Sequence, residues 1–229
     1  MNRIMEKKKA VLIVSGGIDS STLIYKTVQE GYETHALTFI YGQKHKREVE
    51  SARKVCDTLN VAHKILDISS LKEILSGSAL TDSKVDIPKV PETAEYYETL
   101  KTTIVPNRNS IFLSMAIGYA VSIGANHVFF GVHRSDRGVY PDCRREFVEA
   151  FQHAERLAND NSLLVVAAPF VNMNKSDIVK QGIELGVPYK ETWSCYRGGE
   201  MHCGVCSSCR ERKRAFHEAG IEDPTEYER

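Results

Sequence analysis

The chain has 229 residues, 42% of them hydrophobic and 26% charged, with thirty Lys+Arg balancing thirty Asp+Glu. At this length folding buries roughly 70% of the extended-chain surface, so a core stands without disulfide staples, and disordered, collagen-like and fibrous classes are excluded. Zero formal net charge gives no overall field toward nucleic acid or an anionic membrane, and no apolar run reaches the roughly 18 residues of a membrane span.

The start, MNRIMEKKKA, carries positive charge without an apolar h-region, so a cytoplasmic location is expected. Lys9 to Val14 is a nearly continuous apolar run, as in a strand covered on both faces. Ser21 to Glu30 reads as a helix closed by Gly31, and Tyr32 to Phe39 as a second strand. Lys44 to Leu59 is a charged amphipathic helix with Val49, Ala52, Val55, Cys56 and Leu59 on one side. A weaker strand over His63–Ile68 and a short helix near Leu71–Leu75 follow. From Gly77 to Thr103 periodicity dissolves, and so long an irregular stretch inside a compact domain is expected to be a functional loop or lid.

Order returns with a helix over Asn109–Ser122, a strand over His127–Val132 and a long helix over Asp142–Leu157. A strand at Leu163–Ala168, a helix at Lys175–Leu185 and a last helix from about Ser207 to Ala219 complete the pattern. This alternation predicts an α/β fold, a doubly wound, five-stranded parallel sheet with its binding crevice at the carboxyl ends of the strands. Residues 1–190 would form that domain, with 191–229 a small cysteine-bearing segment and C-terminal helix packed on it.

The most informative segment is VSGGIDSST, Val14 to Thr22, between the first strand and the first helix. Gly16 and Gly17 allow close approach of an anion, and the hydroxyls of Ser15, Ser20 and Ser21 can donate to phosphate oxygens. Ile18, Leu23 and Ile24 extend the candidate nucleotide-binding stretch, which runs from Val14 to Ile24. The loop has no Lys and no G-x-G-x-x-G, so neither a Walker A loop nor a dinucleotide fingerprint is present. A serine-rich cradle with one acid suits holding the leaving pyrophosphate of ATP while the α-phosphorus is attacked. Asp19 would then position Mg²⁺ or serve the helix cap.

Of six cysteines, Cys195, Cys203, Cys206 and Cys209 crowd together near the C-terminus. Four thiolates complete a tetrahedral, closed structural Zn²⁺ site. An iron–sulfur cluster and uncoordinated thiols are the rival readings, and the upstream position of the fourth cysteine disfavours the former. His202 and His217 are read as bystanders.

On the S-G-G-x-D-S segment the chain resembles the PP-loop ATP-pyrophosphatase superfamily, with an adenine nucleotide α-hydrolase-like fold. Further segments sharpen this: Tyr41-Gly42-Gln43-Lys44-His45 with Glu48, Val105-Pro106-Asn107-Arg108-Asn109, and Gly131-Val132-His133 with Asp136. Tyr140-Pro141-Asp142-Cys143-Arg144, Thr192-Trp193-Ser194-Cys195-Tyr196, the knuckle and Asp223-Pro224-Thr225-x-Tyr227 complete a resemblance to the 7-cyano-7-deazaguanine synthase (QueC) family over almost the whole chain.

The resemblance implies an ATP-dependent C–N ligase acting on small molecules, 7-carboxy-7-deazaguanine, ammonia and ATP, without direct contact with nucleic acid or membrane. The carboxylate would be adenylated and aminated to the amide, and the amide oxygen adenylated and eliminated to leave the nitrile. The product would feed queuosine or archaeosine modification of tRNA. Asp19, Ser20 and Lys175 are the candidate catalytic residues, Lys175 as a phosphate contact or else a solvated helix-start lysine. Asp142 or Asp136 would accept from the base, and Arg144 or Arg108 would hold the substrate carboxylate.

Asp142 could instead cap the long helix, and Tyr140 could stack on the base or pack beneath it. His45, His133 and Cys143 are read as structural. A PP-loop tRNA thiolase, a ligase making another deazaguanine conjugate and a non-catalytic ATP-binding zinc scaffold are the alternatives. A two-fold homodimer is the default assembly for a soluble enzyme.

Overall fold

A computed structural model describes residues 7–44, 46–82, 84–88 and 100–228. Five parallel strands form one sheet in the order β3-β2-β1-β4-β5: β1 (Lys9–Ile13), β2 (Glu33–Ile40), β3 (Ala62–Asp67), β4 (His127–Phe129) and β5 (Val165–Ala167). Helices α1 (Ile18–Gln29), α2 (Arg47–Thr58), α3 (Arg108–Ser122), α4 (Arg145–Ala158), α5 (Lys175–Glu184) and α6 (Ser207–Ala219) connect and cover them. The chain leaves β1 toward β2 on one side and later returns to place β4 on the other. That reversal opens a crevice at the carboxyl ends of β1 and β4, where the loop after β1 lies.

The sheet is buried on both faces, as its apolar runs require. One cluster joins Ala10, Leu12 and Ala36 to α1, α2, α5 and α6, and the other joins Val11, Leu37 and Val128 to α3 and α4. Tyr189 locks the first layer, with its hydroxyl 2.8 Å from Thr22 Oγ1 and donating to Ile178 O at 3.1 Å. Only glycine at 182 admits that ring, because a Cβ there would stand 1.8 Å from the Tyr189 hydroxyl oxygen.

Most elements fall within a few residues of their sequence-derived positions, and two differences matter for the crevice. Helix α1 begins at Ile18, not Ser21, which brings Asp19 into its first turn. The long helix begins at Arg145, and residues Pro141–Cys143 form a separate 3-10 turn ahead of it. The expected lid is anchored at both ends, with Ala79 N–H donating to Thr102 O at 2.7 Å and Leu80 O accepting from Lys44 N–H at 3.1 Å. Its residues 83 and 89–99 lie outside the described residues, as does His45. No helix among the described residues is long and apolar enough to cross a membrane.

Helix α6 joins the main core through Ala215 and Phe216, and its Arg212 is fully buried. The guanidinium donates to Asp223 Oδ1 at 3.1 Å, Thr192 Oγ1 at 2.8 Å, Ser194 Oγ at 3.3 Å and Tyr189 O at 2.9 Å. Burial raises the Asp223 carboxyl, but Arg212 and the hydroxyl of Tyr227 outweigh it and hold the group below its ordinary value. The stability this gives is present above the unfolded carboxylate value and is lost as pH falls through the lower folded one. Arg212→Ala is expected to destabilise the fold by about 3–5 kcal/mol, because it strands Asp223 and three oxygens. Urea unfolding measures this, and a midpoint equal to wild type contradicts it.

Candidate active site

The loop after β1 is shaped by its neighbour α2. Gly16 has φ +82°, and a Cβ there would lie 2.5 Å from both Glu48 O and Ala52 N. The first turn of α2 thus rests directly on the loop. Trp193 N–H donates to Gly16 O at 2.9 Å, and Ser15 N–H donates to Ser20 Oγ at 3.1 Å. Gly17 occupies the N-cap position of α1 and supplies no capping side chain, so the amides of the first turn are left for an anion.

Val14, Ser15, Gly17, Ile18, Asp19 and Ser20 line the crevice. Gly16 lies under α2, Ser21 is buried in α1, and Thr22, Leu23 and Ile24 are turned into the core.

Beside the loop stands a tight group of charges. Lys175, first residue of α5, places Nζ 3.2 Å from Asp19 Oδ2 and 2.8 Å from Glu211 Oε2 of α6. His133, buried after β4, has Nε2 3.6 Å from Asp136, 3.8 Å from Glu211 and 4.0 Å from Asp19. Its ring is oriented by Ser135 N–H, which donates to Nδ1 at 3.3 Å, while its own backbone N–H donates to Asp136 Oδ2 at 2.9 Å. Burial works against the Lys175 ammonium, but Asp19, Glu211 and Asp136 outweigh it and hold its pKa above the usual lysine value.

Burial raises Glu211, yet Lys175 and His133 bring it down to about 2. Burial raises Asp136, with His133 opposing and Glu211 reinforcing the rise. The Oδ1 of Asp19 is buried with no hydrogen-bond partner among the described residues. An oxygen left bare in this way fits a Mg²⁺ ligand, since that ion takes one or two carboxylates together with phosphate oxygens.

The opposite wall is aromatic. Phe39 and Phe112 stack at 4.3 Å, Tyr41 meets Phe112 edge-on at 5.3 Å, and Arg108 Cζ lies 5.9 Å from the Tyr41 ring centre. Burial disfavours the Arg108 cation, but Tyr41, Tyr196, Cys143 and Asp142 more than restore it. Burial pushes Glu48 up to about 7 against the pull of Arg108, with Cys195 adding to the rise.

The remaining sequence candidates are placed as follows. Asp142 caps α3, accepting from Asn109 N–H at 3.1 Å; the N-cap position of α4 is Arg144. Arg144 is exposed and donates to Arg137 O at 3.1 Å, away from the crevice wall. The Tyr140 hydroxyl is 2.8 Å from Thr103 Oγ1. Burial, with Asp136 and Asp142 nearby, raises the Cys143 thiol far from nucleophilic use. Sequence reasoning misses Glu211, which sits in the run Arg210–Arg214 that resembles a solvated face, gives no role to Tyr41 and Tyr196 of the matched motifs, and takes His133, which lines the crevice, as structural.

The four C-terminal cysteines are buried, with ligand atoms all within 4.8 Å of one another and Cys203 Sγ 4.0 Å from Cys209 Sγ. Tetrahedral zinc with Zn–S of about 2.3 Å sets its sulfurs about 3.8 Å apart. Backbone N–H groups of Cys203 and Cys206 approach Cys195 Sγ and Cys203 Sγ, each at 3.4 Å, as thiolate ligands require. The donor set fits one tetrahedral ion and is too tight for a four-iron cube, whose cysteine sulfurs stand outside the metal corners.

Parallel sheet, lysine-free glycine–serine loop and topological switch point define a nucleotide-binding α/β protein of the PP-loop class. Among solved structures, NMN synthetase from Francisella tularensis matches with TM-score 0.54 and 16% identity, covering 94% of this chain and 79% of that one. NH3-dependent NAD synthetase from Campylobacter jejuni matches with TM-score 0.50 and 18% identity, over 81% of this chain and 67% of that one. The family model described as "Queuosine biosynthesis protein QueC" matches residues 9–220, and the chain belongs to that family.

The 7-cyano-7-deazaguanine synthase of Caldicellulosiruptor saccharolyticus is 49% identical over 222 residues, 96% of each chain. That of Archaeoglobus fulgidus is 52% identical over 216 residues, 94% of this chain and 89% of the relative.

A Gly16→Ala change forces a Cβ against the backbone of α2 and must displace the loop. ATP affinity and turnover are expected to fall by roughly 10²-fold, the cost of about an ångström of misplacement. Calorimetric titration with ATP checks this, and wild-type affinity in the variant contradicts it.

Proposed function

We propose that the chain converts 7-carboxy-7-deazaguanine and ammonia to 7-cyano-7-deazaguanine, using two ATP and releasing two AMP and two pyrophosphates. The observation that carries this reading is the loop itself. It offers helix-start amides and the Ser15 and Ser20 hydroxyls to phosphate but no lysine of its own, and Lys175 arrives from α5 to stand 3.2 Å from Asp19. Such a grip holds the β- and γ-phosphates as one leaving pyrophosphate and leaves the α-phosphorus open to an oxygen nucleophile. The name shared by relatives about 50% identical over nearly the whole chain supports the substrate assignment.

In the first stage Arg108 holds the substrate carboxylate near the α-phosphorus. One carboxylate oxygen attacks, pyrophosphate leaves, and an acyl adenylate forms. Ammonia adds to the acyl carbon, a proton is lost, and AMP departs to give the amide. The amide oxygen then attacks the α-phosphorus of a second ATP and pyrophosphate leaves. The nitrogen gives up one proton to form the adenylated imidate, and loss of the second proton with cleavage of the C–O bond to AMP leaves the nitrile. Both stages use the same grip because both make an oxygen into a leaving group.

Asp19, through its unpartnered oxygen, would hold Mg²⁺, which when bound adds positive charge beside the phosphates. Lys175, kept protonated by its carboxylate neighbours, offsets charge growing on the pyrophosphate. Cys195, Cys203, Cys206 and Cys209 would hold one structural Zn²⁺ whose four thiolates leave no position for substrate.

The thiolase reading is disfavoured by Cys143, a buried thiol raised well above its ordinary value and hydrogen-bonded by Asn109 Nδ2 at 3.3 Å. With the free base as substrate, zero net charge presents no obstacle.

Mass analysis of the product, with AMP and pyrophosphate counted against substrate, tests the reaction. ADP with orthophosphate, or an uncyanated conjugate, contradicts it. Asp19→Ala is expected to abolish pyrophosphate release while zinc stays near one per chain. Cys206→Ser is expected to lose the metal and unfold the C-terminal segment. Atomic emission and turnover on the same samples check both, and a coloured, iron-containing protein refutes the zinc assignment.

A further inference from the structure

A deazaguanine carries, in order around one edge, its 7-carboxylate, the ring carbonyl, the ring N1–H and the exocyclic amine. The first two accept hydrogen bonds and the last two donate. A guanidinium complements the accepting pair, and a single carboxylate complements the donating pair. The carboxylates lining the crevice are Asp19, Glu48, Asp136 and Glu211.

Three of these are already engaged. Asp19 and Glu211 pair with Lys175, and Asp136 accepts from His133 N–H and faces its ring. Asp142 is spent on the start of α3. The carboxylate of Glu48 has no hydrogen bond or ion pair among the described residues, and its strongest favourable partner is the charge of Arg108. Tyr41 and Tyr196 line the same crevice as Glu48 and Arg108, with Arg108 Cζ 5.9 Å from the Tyr41 ring centre.

Position supports the pairing as strongly as elimination does. Glu48 lies in the first turn of α2, whose backbone rests on Gly16 of the phosphate loop. Arg108 opens α3, whose next amide is capped by Asp142. The backbone at Glu48 is therefore set against the phosphate loop, and α3, which carries Arg108, packs on β1 through Phe112, Leu113 and Val11, so both residues start from positions fixed relative to the phosphate grip.

We propose that Glu48 reads the base, accepting from ring N1–H and the exocyclic amine while Arg108 donates to the ring carbonyl and the 7-carboxylate. The assignment rests on the deazaguanine substrate argued above and adds the residue that selects it. A base lacking the exocyclic amine leaves half of the Glu48 carboxylate unpaired and is rejected, as a site built around a hydrogen bond rejects an analogue lacking it.

Steady-state kinetics with 7-carboxy-7-deazaguanine and its analogue lacking the exocyclic amine, on wild type, Glu48→Gln and Glu48→Asp, test this. Wild type is expected to prefer the amino compound by roughly 10²-fold in kcat/KM. Glu48→Gln is expected to lose most of that preference, chiefly through KM for the base, with KM for ATP and ammonium unchanged; Glu48→Asp retains part of it. Unchanged base KM, or a loss falling on ammonium KM, overturns the assignment.

Calorimetric binding of the two bases separates this claim from the reaction. Selectivity that tracks Glu48 without turnover supports the reader and sinks the reaction. Turnover whose base selectivity ignores Glu48 sinks the reader alone.

Discussion

The ion pair between Lys175 and Asp19 joins parts of the chain that are far apart in sequence into one surface of the crevice. At 3.2 Å it ties the first turn of α1 to the start of α5, and through Glu211, 2.8 Å from the same ammonium, to α6. A lysine inside the loop would travel with the loop. A lysine from α5 is instead fixed by its own capped helix, where Asn174 and Asp177 form a capping box. Supplying the cation from α5 fixes its position beside the loop, which the backbone of α2 holds from another side.

Helix α6 links the cysteine cluster to this surface. Its N-cap is Cys206, its first turn carries Cys209, and the next residues send Glu211 into the crevice and Arg212 into the core. A metal at the cysteines would set the rotation of the helix, and so the positions of Glu211 and Arg212. With a metal bound, the knuckle would orient a helix, in keeping with a donor set that has no open ligand position.

Much of this was legible in the sequence because local rules carry it. The apolar runs of a doubly covered sheet, the glycine–serine turn after β1 and the cysteine spacing each have a short-range physical cause. The last helix, expected from about Ser207 to Ala219, spans Ser207–Ala219. What the sequence hid depends on long-range placement. Adjacency to the following helix suggests Asp142 as that helix's cap, but it caps α3, at Asn109 thirty-three residues upstream. Glu211 and Arg212 sit among basic neighbours that read as a solvated stripe, and only the packing of α6 on α5 turns them inward. Nothing local singles out Glu48, because its availability appears only once Asp19, Asp136 and Glu211 are seen to be paired.

These placements converge on one claim, that this crevice opens ATP at its α-phosphorus. The most direct measurement is isotope transfer from 7-carboxy-7-deazaguanine labelled with ¹⁸O in the carboxylate. An oxygen that attacks the α-phosphorus leaves with AMP, so label is predicted in AMP and none in orthophosphate. Label in orthophosphate, or AMP without label, would contradict it.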